Sequence, residues 1–369
     1  MKKTARLLPL ALLLTALPCA AQGPLSPPGA PAPTMKTLEE IHDRTDPRTP
    51  ISSLPYPITE PGSYYVVSNL HSTGHGIVIE TNGVTVDLMG FSLTGDGGDY
   101  GIHVDGATNA LIDKVVIKNG TVTGFYRGLY CEYMNNSRIE QVVVSGNANV
   151  GVYLNGASSG QCDGNTIANC TISGNTSYGV HLRGDNSGQC DGNTIANCTI
   201  SGNTSYGVYL RAHSGQCNGN TIADCTISDN SRGVSLSGYQ GQCDGNTIAA
   251  CTISGNTSYG VYLRGDSGQC NGNTIQENRI SKNANRGIYL WYADGNRVEA
   301  NHISGMSGAT SYGIWTDTTT GNFILKNTCV GQTSNFVMSA SATYGPEVTS
   351  SGSLPTFGAA AHPWANFSR

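Results

Sequence analysis

Aromatic and cationic residues recur in this chain at one short, fixed spacing. Nine segments read glycine, apolar, variable, apolar: GIHV at Gly101, GLYC at Gly128, GVYL at Gly151, GVHL at Gly179, GVYL at Gly207, GVSL at Gly233, GVYL at Gly260, GIYL at Gly287 and GIWT at Gly313. If the apolar pair faces a core, strand alternation turns the residue between them toward solvent. That position holds His103, Tyr130, Tyr153, His181, Tyr209, Ser235, Tyr262, Tyr289 and Trp315. Two residues on, the same face carries Asp105, Glu132, Asn155, Arg183, Arg211, Ser237, Arg264, Trp291 and Asp317. Flat rings can stack on the apolar faces of sugars, and guanidinium groups can pair with sugar carboxylates. The candidate carbohydrate-binding residues are therefore Tyr153, His181, Arg183, Tyr209, Arg211, Tyr262, Arg264, Tyr289 and Trp291. A purely structural account competes with this one, because stacked aromatics also suit β ladders. The arginine row favours function. Like charges in neighbouring strands repel, so an anion or a nearby acid must offset them. Asp185 and Asp266 stand two residues after Arg183 and Arg264, and local charge balance accounts for these RGD triplets.

Other chemistry is less well supplied. A glycoside hydrolase needs two carboxylates flanking one bond, and the repeated face offers few. A polysaccharide lyase needs a base and a group that neutralises the sugar carboxylate. His181, Tyr209, Arg183 and Arg211 are of those types, but Tyr262 and Arg264 repeat them, so no single catalytic centre stands out. Asp163-Gly164, Asp191-Gly192 and Asp244-Gly245 alternate with Asn218-Gly219 and Asn271-Gly272, as interchangeable tight turns do. The Asp96-Gly97-Gly98-Asp99 stretch near His103 and Asp105 reads as a turn or as a calcium loop. Asp87, Lys118 and Glu140 form an outward column of alternating sign. No cofactor or metal is assigned to the chain.

These residues need a scaffold that repeats. Gly164–Arg183 and Gly192–Arg211 differ at one position, and Gly245–Arg264 is nearly the same line again. Cys162, Cys190, Cys217, Cys243 and Cys270 mark a period near 27 residues. Units that short stack on one another and share a core. Charged residues make up 12% of the chain, against about 25% in typical domains, and Gly, Asn, Ser and Thr fill their place. Each unit holds three short alternating segments, such as Thr194-Ile195-Ala196, Thr199-Ile200-Ser201 and Gly207-Val208-Tyr209-Leu210, with no helical stretch between. The reading is an all-β fold: a right-handed parallel β-helix, a solenoid of about ten coils, each strand pairing with its equivalent in the next.

The NTI…TISGN…GIYL phrasing resembles the right-handed parallel β-helix superfamily that includes pectin lyases, and within it the secreted NosD-type repeat proteins. The resemblance covers roughly 61–338 and implies the fold more than an activity, since the superfamily holds lyases, hydrolases, epimerases and phage tailspikes. Gly74-His75-Gly76-Ile77 resembles a polygalacturonase element, but the accompanying NTD, paired-Asp and RIK elements are missing.

The remaining features place the protein. Residues 1–21 read as a secretory signal peptide, 22–35 as a Pro-rich linker, 36–60 as an N-terminal capping segment, 61–338 as the β-helix and 339–369 as a tail. Thr37 and Glu40 have capping-box spacing for a short helix. The expected location is secreted or periplasmic. The second cysteine column, Cys170, Cys198, Cys225 and Cys251, aligns with Val142 and with Asn278, Asn301 and Asn327, so both columns point inward. A buried thiol ladder, disulfides between coils and a thiolate metal column are the three readings. Net charge is −5 with no long basic run, which speaks against nucleic acid, and no second apolar span is long enough to cross a membrane. The expected function is binding of extracellular polysaccharide, acidic ones included, along an exposed Tyr/His/Arg strip. A polysaccharide lyase and a passive adhesive rod are the alternatives.

Overall fold

The computed structural model describes residues 46–349 and 362–369, apart from 109 and 157. The expected signal peptide, the linker and the short helix lie outside the described residues. Every regular element among the described residues is a β-strand, and every strand pairing between them is parallel. Each coil contributes three strands to three walls. In one coil these are Thr194–Ala196, Thr199–Ser201 and Tyr206–His213. Each pairs in register with its counterpart: Ile195 with Ile222, Ile200 with Ile227, Val208 with Val234. The third wall has twelve strands, about eleven turns of the solenoid. Pairing also takes in residues outside 61–338. Thr49–Ile51 and Tyr56–Ile58 join at one end, and Thr343–Tyr344 and Asn366–Ser368 at the other.

The core is a stack of identical residues. Ile167, Ile195, Ile222, Ile248 and Ile275 line one wall, and Ile172, Ile200, Ile227 and Ile253 the next, all buried. Leu182, Leu210, Leu236 and Leu263 complete the third. Both cysteine columns face this core, and the eleven described cysteines are buried free thiols. Burial holds the Cys190 and Cys243 thiols well above their ordinary range, so they stay protonated.

Three kinds of corner turn the chain. Between the first and second walls a single residue adopts the left-handed conformation. At Asn197, Asp224, Ala250 and Glu277, φ lies between 52° and 56°. Asn suits that region; Ala250 takes it at a cost of about 1 kcal/mol. At the other two corners buried asparagines form amide ladders. Asn165 donates to Asn193, Asn193 to Asn220 and Asn220 to Asn246, at 3.0, 3.1 and 3.0 Å. A second ladder runs Asn147, Asn175, Asn203, Asn230, Asn256 and Asn283. Each carbonyl oxygen also accepts a backbone N–H of the preceding coil, as Asn203 does from Asn175 at 3.1 Å. The ladders satisfy polar backbone that each corner would otherwise bury unpaired. The third wall begins on glycine because nothing larger fits. A Cβ at Gly179 would stand 2.7 Å from the Gly207 carbonyl oxygen and from Ile200.

Candidate functional site

The third wall presents its outer face in the expected register. Tyr153 pairs with His181, His181 with Tyr209, Tyr209 with Ser235, and Ser235 with Tyr262. Arg183 lies beside Arg211, Arg211 beside Ser237, and Ser237 beside Arg264. Tyr289 and Trp291 follow in the next coil.

These residues are less open than an exposed strip requires, and that expectation needs correction. Tyr153 is 3% exposed, His181 5%, Tyr262 6% and Tyr289 8%. Tyr209, Arg183, Arg211, Arg264 and Trp291 are half-buried. Two causes combine. Coils are close enough for face-to-face stacking: Tyr153 on His181 at 4.6 Å, His181 on Tyr209 at 5.1 Å, Tyr262 on Tyr289 at 5.3 Å. A further row, one residue before each glycine, then roofs the rings. Tyr178 and Tyr206 stack at 5.2 Å, and Tyr206 leans on Tyr209 at 4.7 Å.

Three arginines in that roofing row escaped the sequence reading. Arg127 lies over Tyr130 and Tyr153 at 4.5 and 4.6 Å. Arg232 lies over Tyr206, Tyr259 and Tyr262 at 5.1, 5.2 and 4.9 Å. Arg286 lies over Tyr289 and Trp315 at 4.2 and 4.1 Å, and donates to the Tyr259 hydroxyl at 2.9 Å. The signal was available: the residue before the glycine is Tyr100, Arg127, Val150, Tyr178, Tyr206, Arg232, Tyr259, Arg286 and Tyr312 in successive coils, alternating between Tyr and Arg from Tyr206 on.

The acids expected to balance the arginine row do so. Arg183 Nε meets Asp185 at 2.5 Å and its Nη1 meets the Tyr153 hydroxyl at 3.0 Å. Burial disfavours the Arg183 cation, but Tyr153 and Asp185 more than offset this and raise its pKa. Arg264 is held by Asp266, with Nη2 to Oδ2 at 2.8 Å. Arg211 has only a loose contact with Asp185, 3.7 Å away. His181 is kept neutral: burial lowers its pKa well below the ordinary range, and Arg183, Arg211 and Arg127 push the same way.

One coil interrupts this pavement. Where its neighbours carry Tyr and Arg, the strand Arg232–Ser237 carries Ser235 and Ser237. The missing bulk leaves a cavity of about 300 Å³ lined by Tyr209, Arg211, Ser237, Tyr239 and Arg264. Arg211 and Arg264 flank it from the two adjoining coils, about 9.6 Å apart at the backbone. The Tyr209 hydroxyl is pushed up to about 12, mainly by burial, and remains a hydrogen-bond donor. Elsewhere, Asp96 pairs with His71 at 3.5 Å, whereas Asp105 and Glu132 both approach the His103 ring. Lys118 stands 3.7 Å from Asp87 in the alternating-sign column.

Among known proteins, the family described as right handed beta helix region matches residues 66–244, and that described as periplasmic copper-binding protein (NosD) matches 200–351. The mannuronan C-5 epimerase AlgE4 A-module of Azotobacter vinelandii is similar in structure. Its TM-score is 0.55 at 17% identity, over 80% of this chain and 90% of that one. ORF18 of Geobacillus virus E2 gives a TM-score of 0.54 at 13% identity, over 73% of this chain and 54% of that one. No curated protein matches the chain in sequence. The fold and the repeats together define a class: this chain is a right-handed parallel β-helix repeat protein. No helix among the described residues is long and apolar enough to cross a membrane.

Proposed function

We propose that this is an exported carbohydrate-binding β-helix, and that its third wall holds an acidic polysaccharide. The observation that carries the proposal is the serine-floored notch between Arg211 and Arg264. Elsewhere on the wall, rings cover rings and arginines are spent on tyrosines or on their own acids. Here Arg211, only loosely paired with Asp185, and Arg264, held by Asp266, line one cavity together with Tyr209. A sugar carboxylate in the notch gains charge-assisted hydrogen bonds, and the edges of Tyr209 and Tyr239 offer apolar contact. The fold-level likeness to a mannuronan epimerase and a family described as periplasmic support a polysaccharide partner and export without specifying either. A lyase would need an accessible base beside the arginines. His181 is sealed in the ring stack with its Nε2 buried and unpartnered, and burial keeps the Tyr209 hydroxyl protonated, so the arrangement favours binding over elimination.

Calorimetric titration with an oligouronide and with a neutral glucan oligosaccharide of equal length tests this. The uronide is expected to bind more tightly, and less so as salt rises. Arg211→Gln combined with Arg264→Gln should weaken it by at least about tenfold, roughly 1.4 kcal/mol, without changing the melting temperature much. Equal binding of both sugars, or a double variant that binds like wild type, would overturn the reading.

A further inference from the structure

We propose that His103, Asp105 and Glu132 form a site for a divalent transition-metal ion of the zinc type, near the N-terminal end of the third wall. The site rests on the geometry of two neighbouring strands and is independent of the carbohydrate reading. It also lies outside residues 200–351, the stretch matched by the NosD description.

Strands Tyr100–Asp105 and Arg127–Glu132 pair in register, with Tyr130 beside His103 and Glu132 beside Asp105. Two carboxylates in directly paired positions repel. Where the same two rows carry arginines, acids sit next to them. Here the ion pairs formed by Asp105 and Glu132 among the described residues both go to the His103 ring. His103 Nε2 stands 3.4 Å from Glu132 Oε2 and 3.8 Å from Asp105 Oδ1. Those separations are long for N–H···O hydrogen bonds, which cluster near 2.9 Å. They suit a shared ion: two ligands each about 2.1 Å from a tetrahedral centre stand about 3.4 Å apart. The ligating atoms of all three residues lie within 4.8 Å of one another.

The surrounding groups orient the ligands as an outer shell does. Glu132 Oε1 accepts from the Tyr130 hydroxyl at 2.5 Å and from Asn155 Nδ2 at 3.2 Å, which turns Oε2 toward His103. The His103 ring is clamped between Tyr130, stacked at 5.2 Å, and His75, stacked at 5.7 Å. Nδ1 of His75 is buried without a partner. His103 is buried while Asp105 is exposed, so an ion enters from the Asp105 side and keeps coordination positions open to solvent there. One imidazole and two carboxylates suit zinc or manganese better than calcium, which prefers an all-oxygen shell.

The test uses chelator-treated full-length protein titrated with Zn²⁺, Mn²⁺ and Ca²⁺ at pH 7, with Co²⁺ as the spectroscopic probe. One equivalent of Zn²⁺ is expected to bind, more tightly than Ca²⁺. Glu132→Gln and His103→Gln should each lower Zn²⁺ affinity by at least about tenfold. Asp105→Asn, at an exposed position, does the same without risk to folding. Asp96→Asn, in the neighbouring loop, leaves binding unchanged. The absence of a binding heat, equal affinity in wild type and the three site variants, or a cobalt–thiolate charge-transfer band placing the ion in the cysteine columns would each overturn the proposal.

Discussion

The second and third walls belong to the same coils and have diverged in opposite senses. Outward residues of the second wall repeat through four central coils, Thr171, Thr199, Thr226 and Thr252, then Ser173, Ser201, Ser228 and Ser254, with Val143 before the threonines and Arg279 and His302 after. Outward residues of the third wall change from coil to coil: acids and His103 at one end, Tyr and Arg in the middle, two serines in a single coil. The single difference between Gly164–Arg183 and Gly192–Arg211 is His181 against Tyr209, and it falls on the third wall. The repeat supplies position, and departures from it supply chemistry. Both candidate sites sit at such departures, so counting the commonest residue of each column misses them.

The corners should matter to both walls, and most of all. Asn203→Leu removes the amide that donates to Asn230 at 3.0 Å and accepts from the Asn175 side chain at 2.9 Å and backbone at 3.1 Å. Leaving those buried groups unpaired should cost about 2–4 kcal/mol, read in denaturant unfolding. An unchanged unfolding midpoint would mean that apolar stacking alone holds the corner.

A smaller effect is expected where the chain passes from the third wall back to the first. Asp191 accepts the Asn218 backbone N–H at 2.6 Å, and its pKa is raised from 3.8 to about 6, chiefly by burial, with the Asp163 charge adding to it. A raised carboxyl pKa favours the folded state fully below pH ~4 and withdraws that contribution as pH rises through about 6. Asp191→Asn, the residue type already at Asn218 and Asn271, keeps the acceptor and removes the charge. It should stabilise the protein at pH 7 by on the order of 1 kcal/mol, partial exposure having screened the rest, and leave it unchanged at pH 4. Parallel melting curves for both proteins from pH 4 to 7 would contradict this.

The smallest effect tests the contrast between the walls directly. Thr199→Val, Thr226→Val and Thr252→Val alter only the exposed second wall, and each should shift stability by less than about 0.5 kcal/mol. Oligouronide binding by the triple variant should equal wild type. If it falls as far as in the arginine double variant, the second wall is functional and the contrast fails.

Much of this was legible from periodicity. A 27-residue period, glycine before an alternating apolar pair and inward cysteines gave the coil, the strand register and both outer rows, including the pairing of Arg183 with Asp185. Burial was not legible. Tyr153 and Tyr289 face outward in register yet lie covered, because alternation reports which side of a strand a side chain leaves from, not what leans over it. The asparagine ladders were not legible, since Asn165 or Asn203 beside a glycine is ordinary turn chemistry until the coils are stacked. The columns set Glu132 beside Asp105, but they did not show that the His103 ring reaches both carboxylates. The notch was visible only as serines, and an absence of bulk becomes a cavity only when its neighbours are known to be large.

Strand pairing fixes the rise at about 4.8 Å per coil. The strands carrying Glu132 and Arg211 are three coils apart, so the two candidate sites are separated by about 14 Å. Each intervening coil is hydrogen-bonded to the coils directly above and below it. Gaining or losing one copy therefore moves the two sites apart or together by a single fixed step while leaving the residues of each untouched. The spacing between sites is thus a digital variable, set by copy number rather than by remodelling any side chain.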